Sequence, residues 1–214
     1  MVGVQISAQD LFRSAYENRY TWDKQFPGFT ADVTYACGDT VVKGAVRVGA
    51  DLKPVVEVED EPVQKVIHGQ LFEVAIHRIR RTFEETHSKN TFSYGEADEN
   101  DPAGTAKILI GGKSSGDYYK LRDNEVCLVH RHIHGVVVTI NTFSSHDTGD
   151  GYLSHTYDSV YHDPKTGVQK GGKSMFEDNY TQVGDYFILS QRRIQTVGEP
   201  EQDFSFSNIE LMAA

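Results

Sequence analysis

From Phe29 to Tyr35 apolar and polar residues alternate: Phe29, Ala31, Val33 and Tyr35 against Thr30, Asp32 and Thr34. That period of two predicts a strand with one wet face. Gly38-Asp39 supplies a turn, and Thr40 to Val48 returns as the partner of a hairpin. A shorter strand, Pro54 to Val58, follows. On either side the period lengthens to that of a helix. Ser7 is placed as an N-cap with Asp10 three residues on and Ile6 and Leu11 as a staple. Ala8, Leu11, Phe12, Ala15 and Tyr16 then fall on one face, which predicts a helix from Ser7 to Tyr20. The second helix runs from Asp60 to Arg81. Asp60 caps it, Pro62 sits in the first turn, and Val63, Val66, Ile67, Leu71 and Val74 keep the helical period. Phe72, Ile76 and Ile79 add a second apolar strip, and Arg78, Arg80 and Arg81 suit its C-terminal dipole.

Beyond Phe83 the pattern turns polar, with an acidic loop from Glu96 to Asp101 closed by Pro102. From there on it is strands and turns, through Thr105–Ile110, Tyr118–Arg122, Glu125–His134, Val136–Phe143, Tyr152–Tyr161, Met175–Tyr180, Tyr186–Val197 and Gln202–Leu211. Asp123-Asn124, Thr148 to Gly151, Asp163 to Gly167 and Gly198-Glu199-Pro200 are the separators. Short connections between successive strands predict antiparallel meander pairing, not a parallel βαβ sheet. The fold expected is α+β: a strongly curved antiparallel sheet of about ten strands, a half-barrel or barrel, with two helices packed against it. No linker or repeat divides it, so 1–214 reads as a single domain.

A formal net charge of −10 argues against nucleic acid and against docking on an anionic membrane surface. At 38% hydrophobic residues, no stretch reaches the length of a membrane span. Met1 to Asp10 lacks the layout of a signal peptide, which leads to the expectation of a cytoplasmic protein with Cys37 and Cys127 reduced.

Gly167 to Ser174 fits the phosphate-loop pattern G-x-x-x-x-G-K-[ST] literally. Such a loop needs a buried strand before it and a helix after it, and the preceding Asp163-Pro164-Lys165-Thr166 is turn chemistry. A hairpin followed by a Gly-Lys segment is expected instead. His130, His132 and His134 alternate along one strand and so share a face, a way of presenting imidazoles to a divalent metal. Three such positions span roughly 13 Å, so one ion takes two of them plus a neighbouring-strand ligand such as His155, with His146 and Asp158 as other donors. His146 to Tyr152 reads as a tight turn, since a calcium loop would need a different ligand pattern. There is no G-x-S-x-G, and Cys127 lies mid-strand, away from any helix N-terminus. Aromatic residues recur on most strands. Tyr118, Tyr152, Tyr157 and Tyr186 are candidates for the wall of a site taking a flat apolar ligand.

Taken together, Ala8-Gln9-Asp10-Leu11-Phe12, Ala15 to Trp22, Phe26 to Val33, Phe83 to His87, Thr139 to Thr142, Asp147 to Leu153, Phe176-Glu177-Asp178 and Phe206 to Ile209 resemble an uncharacterised domain-of-unknown-function family of oxygenic phototrophs. The resemblance covers nearly the whole chain and carries no activity and no site residues. The layout, a first helix and then a strand opening Phe29-Thr30-Ala31-Asp32-Val33-Thr34, also resembles the lipoprotein carriers, which are exported half-barrels. The expectation is a non-enzymatic binding, carrier or assembly protein for a hydrophobic small molecule (pigment, lipid or tetrapyrrole in a photosynthetic cell) or for a protein segment. The alternative is a metal-dependent enzyme using the strand histidines.

Overall fold

The computed structural model describes residues 6–213. Among these the helices are α1 (Ala8–Glu17), α2 (Glu61–His77) and α3 (Phe83–His87). The strands are β1 (Gly28–Cys37), β2 (Thr40–Gly49), β3 (Pro54–Glu57), β4 (Asn90–Tyr94), β5 (Ala106–Gly112), β6 (Tyr118–Arg122), β7 (Glu125–Ile133), β8 (Val136–Asp147), β9 (Tyr152–His162), β10 (Gln169–Val183), β11 (Tyr186–Thr196) and β12 (Gln202–Leu211). They gather into two compact units, each assembled from separate stretches of chain. Residues 6–19 and 81–173 form one, and residues 20–80 and 174–213 form the other. The expected class holds: the sheets are antiparallel and the helices pack against them. No helix among the described residues is long and apolar enough to cross a membrane.

In the first unit β4 to β9 pair in chain order, each strand beside the next. Ser7 caps α1 as expected, its hydroxyl accepting from the Asp10 N–H at 3.1 Å. The helix buries Ala8, Phe12, Ala15 and Tyr16 against Ile108, Ile110, Tyr119 and Leu121. The Phe12 ring is the centre of this core, with the rings of Tyr119 at 4.7 Å and Phe92 at 5.3 Å. α1 ends at Glu17, short of Tyr20, because the Asn18 carbonyl accepts the Tyr152 N–H at 3.0 Å and the chain leaves as a bridge to β9. The polar stretch after Phe83 holds two elements the hydrophobic pattern does not predict. α3 is set by a capping box in which Thr82 and Glu85 satisfy each other's backbone N–H. β4 is a strand with little buried face.

In the second unit the order is β3-β2-β1-β12-β11-β10. Phe29, Ala31, Val33 and Tyr35 of β1 are all buried, with Val46 and Val48 of β2 and Phe204 and Phe206 of β12 beside them in register. Gly44 on β2 faces the end of β3, where a side chain would run into the Glu57 carbonyl. Asp60 caps α2 by accepting the Val63 N–H at 2.9 Å. The helix buries Val63, Ile67, Leu71, Val74 and Ala75, whereas Phe72 and Ile76 of the second strip are exposed. It stops at His77, not Arg81, since the Arg78 N–H turns back to Ala75 and its carbonyl accepts the Trp22 N–H at 2.8 Å.

Neither unit closes on itself, so the barrel form of the expectation is not met; in each the sheet is open. Bulges between Thr30 and Asp32, Lys120 and Leu121, Thr142 and Ser145, and Asn179 and Tyr180 bend the strands and raise their twist.

Candidate functional site

The second unit contains a cleft where two neighbouring strands part. β11 and β12 are paired only over Gln191–Ile194 and Gln202–Ser205. Past that ladder β12 stays with β1 as far as Leu211, and β11 stays with β10 as far as Tyr186. The backbone of Phe187 is taken over by the segment after α1. Its N–H donates to the Tyr20 hydroxyl at 2.9 Å, and its carbonyl accepts the Trp22 indole N–H at 3.2 Å. Trp22 stacks on Phe26 at 4.0 Å, and the Phe26 ring meets Tyr186 edge-on. These aromatic side chains plug the far end of the split. At its near end is an open space of about 500 Å³ walled by Tyr180, Val183, Phe206 and Ile209, with Thr181, Ser190, Ser207 and Asn208 as polar points. Asn208 holds a positive φ of 50°, the bulge that swings β12 away, and its side-chain amide donates to Asp32 at 2.7 Å.

Behind the cleft lies a buried charge network. Arg192 and Asp178 are 3% and 1% exposed and form a two-pronged pair at 2.8 and 2.7 Å. Arg192 also donates to Gln70 on α2 at 2.8 Å. The Tyr180 hydroxyl accepts from Arg78 at 3.0 Å and donates to Asp178 at 3.4 Å. Burial pushes the Tyr180 phenol up to about 12, so it stays protonated and remains a donor. A second space, of about 580 Å³ between the ends of β2 and β3, is lined by Val41, Val42 and Val58 but also by Lys43, Glu57, Glu59 and Asp60. That ring of charge suits a wet surface better than an apolar guest.

The four tyrosines singled out from the sequence are not gathered at this cleft. Tyr152 and Tyr157 are buried in the first unit, where the Tyr152 hydroxyl accepts the Val126 N–H at 3.0 Å and desolvation raises its pKa to about 12. Tyr118 stacks on His130 at 4.5 Å with the Lys107 ammonium over its ring. Tyr186, in the second unit, donates to Asp23 at 2.9 Å; desolvation first and that carboxylate second raise its phenol to about 12. Tyr180, which lines the cleft, is one of eleven tyrosines in the sequence. Only the departure of β12 distinguishes it.

The histidines fall into two places in the first unit. His130 and His132 share a face of β7 as expected, their ring centroids 5.9 Å apart. His134 lies past the strand end, in the β7–β8 turn, at a φ of 50°. His155 sits on β9, its Nδ1 3.0 Å from the Ser144 hydroxyl and its ring 4.4 Å from that of His146. Asp158 is held by Asn141 at 2.8 Å and by Lys173. Among the described residues no group of three or more His, Cys, Asp and Glu is placed to hold a metal ion. The residue that sequence reasoning missed is Asp117, 5% exposed, which accepts from both the backbone N–H of His132 at 2.8 Å and its Nδ1 at 3.1 Å. Its only sequence signal is the Ser115-Gly116 turn before it.

The Gly167–Ser174 segment is a hairpin turn closed by Asp163, running into the long strand β10, with no helix after it. Lys170 pairs with Asp163 and Lys173 with Asp158. Cys37 and Cys127 are both free thiols, and burial raises the pKa of Cys127.

Comparison with solved structures finds a LolA superfamily protein from Nitrosomonas europaea at 8% identity, with 98% of this chain and 96% of that one covered and a TM-score of 0.39. A putative outer membrane lipoprotein-sorting protein domain from Vibrio parahaemolyticus matches at 9% identity, covering 97% and 93%, with a TM-score of 0.37. A DUF1329 family protein from Desulfovibrio piger follows at 8% identity, covering 97% and 92%, with a TM-score of 0.30. At scores this low the likenesses carry no functional argument. No curated protein matches. The family described as "Protein of unknown function (DUF3386)" matches residues 4–212, and the chain belongs to it.

Proposed function

We propose that this protein binds a hydrophobic small molecule in the cleft lined by β10, β11 and β12, as a carrier or assembly protein and not as an enzyme. The observation that carries this reading is the parting of two neighbouring strands around a space of about 500 Å³ with Tyr180, Val183, Phe206 and Ile209 on its wall. That volume lies in the range of small-molecule sites, and its wall sets the side chains of Tyr180, Val183, Phe206 and Ile209 beside four hydroxyl and amide groups. The polar points carry no formal charge, which favours a neutral or weakly polar head over a phosphate or a carboxylate. The finer reading is a pigment, lipid or tetrapyrrole of a photosynthetic cell; the resemblance to a phototroph family supports it.

The test is native mass spectrometry of the protein purified from its own host, followed by titration of the stripped chain with a long-chain fatty alcohol and with a free-base porphyrin. Val183→Asp and Ile209→Asp place a carboxylate in the wall at half-exposed positions, and each is expected to weaken binding at least tenfold with the melting temperature little changed. Wild-type affinity in both variants would move the ligand out of the cleft.

A further inference from the structure

We propose that His130 and His132 form a two-imidazole chelate for a divalent transition-metal ion, with Asp117 as the positioning residue that orients it. Both side chains project from the same face of β7, and each ring has its Nδ1 engaged. The buried Asp117 carboxylate accepts from Nδ1–H of His132 at 3.1 Å, which leaves the lone pair on Nε2. The Thr139 hydroxyl, across the strand pair, is 2.9 Å from Nδ1 of His130 and can accept from it in the same way. Among the described residues neither Nε2 has a hydrogen-bond partner. A carboxylate or hydroxyl behind the far nitrogen of an imidazole is the arrangement that fixes tautomer and ring direction in metal sites.

The spacing fits one ion. A metal–imidazole bond of about 2.1 Å puts the ion roughly 3.2 Å from a ring centroid, so two rings on one tetrahedral ion stand about 5.3 Å apart. The rings here are 5.9 Å apart and nearly perpendicular, at 83°. Closing the difference takes a small side-chain rotation of His132, which is half exposed. Gly116 leaves the room: a side chain there would meet Cε1 of His132 at 3.3 Å. His130 is held against Tyr118, which fixes the direction of its ring. With two protein ligands the remaining positions belong to water. Imidazole pairs of this kind favour zinc, copper or nickel over magnesium or calcium.

The experiment is calorimetric titration of the full chain, free of any affinity tag, with zinc chloride and separately with copper(II). One ion per chain is expected. His130→Ala and His132→Ala should each weaken binding at least tenfold, and Asp117→Asn by about 10–100-fold through misorientation of His132. His155→Ala, which removes the other histidine pair, should leave it unchanged. Circular dichroism on each variant separates loss of the ion from loss of the fold. Absence of binding at millimolar metal would overturn the proposal. So would loss of binding in His155→Ala alone, or one ion shared by two chains.

Discussion

His87 shows at the scale of one residue how the core can be read by pH. Its ring is 8% exposed and lies 5.1 Å from Phe12 and 4.9 Å from Tyr16, with Phe83 and Phe92 closing the cage. Asn90 completes the set by meeting Nδ1 at 3.1 Å. Desolvation, then the charges of Arg131 and Arg19, lowers its pKa from 6.5 to about 4. The folded state therefore prefers the neutral ring, while the unfolded chain takes up a proton below pH 6.5. Stability from this residue is complete above pH 6.5 and falls as the pH drops toward 4, by about 3 kcal/mol. His87→Gln keeps an acceptor for Asn90 and cannot titrate. Urea unfolding of that variant should lose the wild-type decline between pH 6.5 and 4; an unchanged decline would assign it to other groups.

Among elements, α2 is attached to its sheet by charge as well as by its apolar face. Arg192 spans from Asp178 on β10 to Gln70 and Glu73 on α2. Removing one member of a buried pair leaves the other charge without compensation, so Asp178→Ala is expected to cost about 3–5 kcal/mol in urea unfolding. The joint change Asp178→Leu with Arg192→Met should recover most of that loss. Much at this scale is legible in the sequence. Phe29 to Tyr35 and the Ser7 and Asp60 caps announce themselves through period and capping chemistry, which depend on residues a few positions apart. α3 is announced too, by Thr82 and Glu85, but its single turn has no hydrophobic period to draw attention to it. The cleft and the Asp117–His132 bond are of another kind. They depend on where β12 leaves β11 and on a turn 15 residues upstream, and no local pattern encodes either.

For the molecule as a whole, the interleaving of the chain is the governing fact. The first unit draws its central aromatic, Phe12, from a helix separated from the rest of that unit by residues 20–80. A fragment of residues 81–173 would expose Phe83, Ile108, Tyr119 and Leu121 where α1 belongs. We expect it to show little tertiary signal in near-ultraviolet circular dichroism and to gain one when a peptide of residues 6–19 is added; a fragment that folds unaided would show that α1 is dispensable. The second unit has the same property at greater range, because β1 pairs with β12 at the far end of the chain. Such distant pairing raises contact order and slows folding. It also sets a schedule for synthesis on the ribosome. α1 emerges before β1, yet the strands that cover Phe12 follow only after β1 to β3 and α2. At synthesis rates of roughly 5–20 residues per second that is a wait of about ten seconds with the apolar positions of α1 uncovered. A nascent-chain chaperone that recognises a short apolar face has its opportunity in that interval.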